Sequence, residues 1–255
     1  MRNGLLRGYP SRVATVTEIA PDIYRVNVER PGSPVTYSFF VVNDEQPALV
    51  QTGFARSFPE TLEAVRQVVD PSMLRYIVIL HFEGDESGAL NHFLGQAPRA
   101  EAVGSPIGVR TNLSDFAIRP PVAVDEDAVL DLGRHRLRLL ITPYVHTWDS
   151  MLAYDETTST VFTSDIFTTP GPGPAVTSRD RTDEMLALYR ANGLFPSRAH
   201  LLIALDKIAA LKPRTLACHH GSVVDGQIER YLQALRDNDV TGLPGPSYMQ
   251  EPSVS

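Results

Sequence analysis

A chain of 255 residues with a formal net charge of −7 and a single cysteine, Cys218, can bury roughly three quarters of its unfolded surface, as one large domain or two small ones. It has no basic footprint for nucleic acid or an anionic membrane, no apolar run of ~18 residues, and no second cysteine for an internal disulfide. Its start, Met1 to Gly8, lacks the long apolar core of a secretory signal, and a lone thiol fits a reducing, cytoplasmic setting.

The first half reads as strands. Val13 to Ile19, Ile23 to Val28, Tyr37 to Val42 and Ala48 to Gln51 are short β-rich runs, separated by the turn signals Pro21-Asp22, Pro31-Gly32 and Asn43-Asp44, which predicts successive hairpins. Ser57 to Val69 is predicted helical: Ser57 and Glu60 have capping-box spacing, Pro59 falls in the first turn, and Leu62, Val65 and Val69 share a face. A strand from Tyr76 to Leu80 follows, and it stops abruptly at His81-Phe82-Glu83-Gly84-Asp85-Glu86-Ser87-Gly88. In an extended or tight loop, His81, Glu83 and Asp85 occupy alternate positions and project to one side. Three potential metal ligands then converge in one loop.

Gly88 to Leu94 is predicted as a short helix; Ala100 to Val103 follows, with another helical piece near Pro106 to Phe116. The strands Ala128 to Leu132 and His135 to Ile141 form a hairpin, and the second delivers Tyr144-Val145-His146-Thr147-Trp148-Asp149-Ser150. Met151 to Tyr154 and Thr160 to Thr163 form another, which delivers Ser164-Asp165. Thr168 to Pro174 carries too much Pro and Gly for regular structure and is expected as a loop near the site, followed by Arg179 and Arg181, read as loop residues that could also meet an anion. Helices are predicted over Asp183 to Asn192, Ser197 to Leu211 and Gln227 to Asp237. The strand Thr215 to Ala217 runs into Cys218-His219-His220-Gly221. The expected domain covers 13–241, with a segment 1–12 before it and a flexible tail 242–255 after it. The order strands, helix, strand occurs in each half, as two sheets packed face to face with helices outside would require.

Four strand ends therefore present polar clusters, at His81, His146, Asp165 and His219-His220. In this the chain resembles the metallo-β-lactamase superfamily. Within it, the likeness is to the flavodiiron proteins and their flavin-free relatives, the oxygen-binding diiron proteins. Their pattern is His-x-Glu-x-Asp-His, then a lone His, a bridging Asp and a final His. The matching residues are His81-Phe82-Glu83-Gly84-Asp85-Glu86, His146, Asp165 and His220-Gly221. The stretch His146 to Phe167 is also similar, and the likeness runs from about Val13 to Leu235.

The resemblance implies an α/β fold, an αββα sandwich of two mixed sheets with outer helices. It implies one iron on His81, Glu83 and His146, a second on Asp85 and His220, and Asp165 between them. Two positions depart from the pattern. Glu86 stands where the family has histidine, and it either ligates the second metal or turns away; Gln51 stands where an aspartate is common, and is expected to support the loop. His219 is expected beside the ligands or in the core, and Cys218 as a small buried hydrophobe. Tyr144 and Trp148 flank His146 as pocket walls or plain core, and Asp149 is expected to orient His146. The lone His92, His135 and His200 are read as surface or helix-face residues.

Carboxylates such as Glu83 and Glu86 make a hard, anionic donor set that favours iron or manganese over zinc. Two adjacent irons would bind or reduce dioxygen or nitric oxide. The alternatives are a dinuclear zinc hydrolase of a small ester or thioester, and an oxygen sensor acting through a partner. The flavodiiron proteins carry a flavodoxin domain that this stretch of sequence does not extend into, so a separate electron donor is expected. A homodimer is compatible with the resemblance, but no residue here marks an interface.

Overall fold

The computed structural model describes residues 14–243 and 245. Val13 and the expected segment 1–12 lie outside them, as does the expected tail apart from residues 242, 243 and 245. The first sheet contains β1 (Ala14–Ala20), β2 (Ile23–Val28), β3 (Tyr37–Val42), β4 (Ala48–Val50), β5 (Tyr76–Val78), β6 (Glu101–Gly104) and β7 (Val122–Ala123), in that spatial order. Its first four strands are antiparallel and its last four parallel. The second sheet contains β8 (Val129–Asp131), β9 (Arg136–Ile141), β10 (Met151–Asp155), β11 (Thr160–Ser164), β12 (Val176–Thr177), β13 (Thr215–Cys218) and β14 (Val223–Asp225), ordered β12-β14-β13-β11-β10-β9-β8. It too is mixed, with β11 and β13 parallel.

The two-residue period of a strand sorts side chains into layers. Phe40 and Val42 of β3, Val78 of β5, Leu137 and Leu139 of β9, Phe162 of β11 and Ala217 of β13 fill the space between the sheets. Their neighbours Phe39, Val41 and Ile77 face outward under the helices Phe58–Arg66 and Leu90–Gln96. On the other side, Leu152, Val161 and Leu216 pack under the helices Thr182–Asn192, Arg198–Leu211 and Ile228–Asp237. The result is the expected αββα sandwich.

The predicted elements recur within a few residues, with local differences. Ser57 holds the N-cap position of Phe58–Arg66, but its side chain does not make the cap bond its spacing to Glu60 suggests. β7, β12 and β14 are only two or three residues long and exist through pairing, which no local pattern announces. His135, expected at the surface, is 2% exposed, with its Nδ1 3.1 Å from Asp155 Oδ1. A carboxylate brought by β10 makes that burial tolerable. Among the described residues, no helix is long and apolar enough to cross a membrane.

The sandwich gathers the polar loops at one edge. β5, β11 and β13 deliver their C-terminal ends there, and backbone hydrogen bonds tie the loops together: Met151 N–H to Leu80 O at 2.8 Å, His219 N–H to Ser164 O at 2.9 Å and Ser38 N–H to His219 O at 2.8 Å.

Candidate metal centre

The loop after β5 is held before its first ligand candidate. Gln51 Oε1 accepts the Leu80 N–H at 3.2 Å, the supporting role expected of that position. His81 is buried, and its Nδ1 lies 2.6 Å from Ser164 Oγ, which turns Nε2 toward the loop edge. Asp149 joins two of the polar loops: its Oδ2 accepts the Phe82 N–H at 3.2 Å, its Oδ1 accepts the Thr147 hydroxyl at 2.7 Å, and its carbonyl accepts the Ser105 hydroxyl at 2.6 Å. Backbone strain concentrates here. Gln51, Tyr144, Ser164 and Phe167 all have positive φ, at 68°, 63°, 51° and 71°, a conformation that non-glycine residues keep only where the surroundings impose it.

Two groups of donors form. His81, Glu83, His146 and Asp165 each offer an atom within 4.8 Å of the others, and so do Asp85, His219 and His220. Asp165 reaches both. Its Oδ2 lies 2.8 Å from His146 Nε2 and 3.9 Å from His81 Nε2, while its Oδ1 lies 3.5 Å from His220 Nε2. Glu83 spans His81 and His146, at 3.8 Å from each Nε2, and is the most exposed of the set. Glu86 is fully buried, with Oε2 against His81 Nε2 and Oε1 accepting the Ser164 hydroxyl at 3.3 Å.

The sequence does not signal several residues that position this edge. Thr36 O lies 2.8 Å from His220 Nδ1, so it takes that N–H and leaves Nε2 to face Asp85 and Asp165. Arg25, buried on β2, donates to Gly221 O at 2.7 Å, and Thr36 Oγ1 accepts the Gly221 N–H at 3.1 Å. The signal for Arg25 is a charged residue, two positions before Asn27, inside a mostly apolar strand. Tyr144 and Trp148, at 42% and 48% exposure, are neither core nor part of the cavity described below, and Tyr144 packs edge-on against His200. Arg181 braces the Pro/Gly loop through Thr169 Oγ1 and Pro170 O rather than facing outward. Cys218 is buried, which pushes its thiol up to about 12.

The charges answer one another. Burial raises the Asp165 carboxyl, yet His220, His146 and His81 hold it well below the usual carboxylate range. Burial, reinforced by Asp165 and Asp85, pushes Glu86 well up; burial opposes a charged His81, but Glu86, Glu83 and Asp165 raise it well above the usual range. Burial and the neighbouring His220 hold His219 well below the ordinary imidazole range.

Metal ions fit this donor set. His81 Nε2, Glu86 Oε2, His146 Nε2, Asp165 Oδ1 and both ring nitrogens of His219 are buried without a hydrogen bond. Such atoms are rare, and five residues of one cluster sharing the condition calls for a common ligand. The backbone at Gly221 is equally specific. At φ 85° a Cβ there would collide with Thr169 Oγ1 and approach Thr169 O to 2.6 Å. Gly221→Ala is therefore expected to lower stability by about 2 kcal/mol or more, measurable by urea unfolding of the metal-stripped chain.

Two mixed sheets between helices, with paired histidine and carboxylate groups on the loops of one edge, define the metallo-β-lactamase class of fold. A family model described as ODP family beta lactamase matches residues 35–221, and the chain belongs to that family. Among curated relatives, "Putative diflavin flavoprotein A 1" of Thermosynechococcus vestitus is 30% identical over 213 residues, 79% of this chain and 36% of that protein. "Flavo-diiron protein FprA2" of Clostridium acetobutylicum is 26% identical, covering 79% of this chain and 53% of the relative. "Rubredoxin-oxygen oxidoreductase" of Megalodesulfovibrio gigas is 26% identical, covering 75% and 50%. The chain thus spans between about a third and about half of the length of these relatives. The solved rubredoxin oxygen:oxidoreductase of Desulfovibrio gigas shares the fold at a TM-score of 0.80 and 22% identity, over 88% of this chain and 61% of that one. A fragment of putative diflavin flavoprotein A 5 from Nostoc does so at 0.78 and 22%, over 89% and 95%.

Proposed function

We propose that this chain holds two iron ions and uses them to bind and reduce dioxygen or nitric oxide, with electrons from a donor. His81, Glu83 and His146 would hold one ion, Asp85 and His220 the other, and Asp165 would face both. The observation that carries the reading is the position of Asp165, whose two oxygens point into two separate donor groups. Flavodiiron relatives support it, as does the carboxylate share of the donors, which suits iron better than zinc. When bound, the iron pair supplies the electrons and the coordination positions for the gas.

The protein's own contribution is access and orientation. A cavity of about 270 Å³ adjoins the centre, and its lining joins Pro34, Val35, Leu188 and Leu194 to Glu83, His146 and His220. Apolar walls favour a small, weakly hydrated molecule and disfavour a charged ester. Tyr189 is fully buried, with its hydroxyl donating to Asp165 O at 2.8 Å and accepting the Thr168 N–H at 2.9 Å, so it fixes the strand end that presents Asp165.

Metal analysis of protein purified without added metal, with absorption spectra before and after dithionite reduction and air exposure, tests the reading. Two irons per chain, with a near-ultraviolet band that bleaches on reduction and returns in air, and gas consumption with an added reductant, are the expected results. Zinc or manganese in place of iron, no such band, and hydrolysis of a generic thioester would overturn it in favour of a hydrolase.

A further inference from the structure

His219 has no task in that proposal, and its surroundings do not suit a residue that merely fills space. The side chain is fully buried, and neither ring nitrogen makes a hydrogen bond. Its backbone, by contrast, is held on both sides, the N–H by Ser164 O and the carbonyl by Ser38 N–H. A structural histidine in a core satisfies at least one ring nitrogen with a carbonyl, a hydroxyl or a carboxylate. Two other enclosed imidazoles of this edge do so, His81 with Ser164 Oγ and His220 with Thr36 O.

The ring is aimed at the second donor group. His219 Nε2 lies 3.9 Å from Asp85 Oδ2, and His220 Nε2 lies 3.7 Å from the same oxygen. The two imidazoles have centroids 4.5 Å apart at an interplanar angle of 78°, so they approach Asp85 in different planes instead of stacking. On the far side of the ring, Nδ1 faces Glu86 Oε1 at 3.8 Å. A ligating imidazole characteristically turns its second nitrogen toward a carboxylate or carbonyl. The same Glu86 carboxylate has its other oxygen on His81.

We propose that His219 Nε2 is a direct ligand of the second metal ion, alongside Asp85 and His220, so that this position is held by two adjacent histidines of a single strand end. The assignment rests on the two-metal reading above. It differs from the expectation that His219 stands beside the ligands, and it gives the second position an imidazole that does not depend on Glu86.

Titration of the chelator-stripped full chain with Co²⁺, following the visible ligand-field bands and counting ions at equilibrium, tests the assignment. The wild type is expected to take two ions. His219→Gln, close in volume and able to keep the fold, is expected to take the first ion with unchanged affinity and the second more weakly by over ~100-fold, beyond the 10–100-fold typical when a residue supporting a ligand is lost. In His219→Gly, added imidazole is expected to restore the second ion; a structural role would give no such rescue. Two ions bound by His219→Gln with wild-type affinities and bands would overturn the assignment. So would loss of the second ion in Glu86→Gln together with its retention in His219→Gln. Fewer than two ions in the wild type would instead remove the two-metal reading itself, so the two failures are distinguishable.

Discussion

Asp165→Ala is expected to cost both metal ions at once while the sandwich remains folded. Asp165 Oδ2 faces His146 and His81, and Oδ1 faces His220. Removing the carboxylate takes a donor from each group and also an anion that three imidazoles surround. Each ion should bind more weakly by over ~100-fold, since even a residue that only supports a ligand contributes 10–100-fold. Asp165→Asn separates the two effects: it keeps the volume and one acceptor oxygen but not the charge, and should fall between wild type and alanine. His92→Ala is the control, because His92 stacks on Phe58 at 4.8 Å on the outer helix layer and touches neither group. Inductively coupled plasma metal counts, with far-ultraviolet circular dichroism for the fold, decide the matter. One ion retained at full affinity in Asp165→Ala would mean that the two groups bind independently.

Arg25→Met should show the second large effect, in stability. The Arg25 guanidinium is 4% exposed and donates to Ser38 Oγ at 2.8 Å, Asn27 Oδ1 at 2.9 Å and Gly221 O at 2.7 Å. Burial lowers it to about 10, so it keeps its charge at neutral pH. Methionine fills much of the space but strands those acceptors, at about 1–3 kcal/mol for each buried group left unpaired. Relief from desolvating the cation offsets part of this. A net loss of about 3 kcal/mol is expected, or a Tm lower by roughly 6–12 °C for a chain of this size. The Gly221 turn should loosen with it, and His220 is its neighbour, so the second metal ion should also weaken. A change under about 1 kcal/mol would show that Arg25 is no clamp.

Much of the site was legible because its chemistry is local. An apolar run that ends in His81, Glu83 and Asp85, or in Ser164-Asp165, reports a strand feeding a polar edge, and the strand period alone sorts Phe39 and Val41 from Phe40 and Val42. What escaped was anything whose reason lies in a distant partner. His135 is buried and not a surface or helix-face residue because Asp155, which admits it to the core, comes from a segment 20 residues away. β7, β12 and β14 are too short to carry a pattern of their own.

The sequence by itself determined most of the strands and helices and the order of the polar loops, since hydrophobic period and strand-end composition are properties of neighbouring residues; the αββα sandwich was what the resemblance carried by those loops implied. Only the tertiary structure decided how those loops divide into two donor groups meeting at Asp165, why the His220 turn needs Arg25 and Thr36, and that both nitrogens of His219 are left without a hydrogen bond. These depend on distances of a few ångströms between segments far apart in the chain, set by how the two sheets close on one another, and no local pattern encodes them.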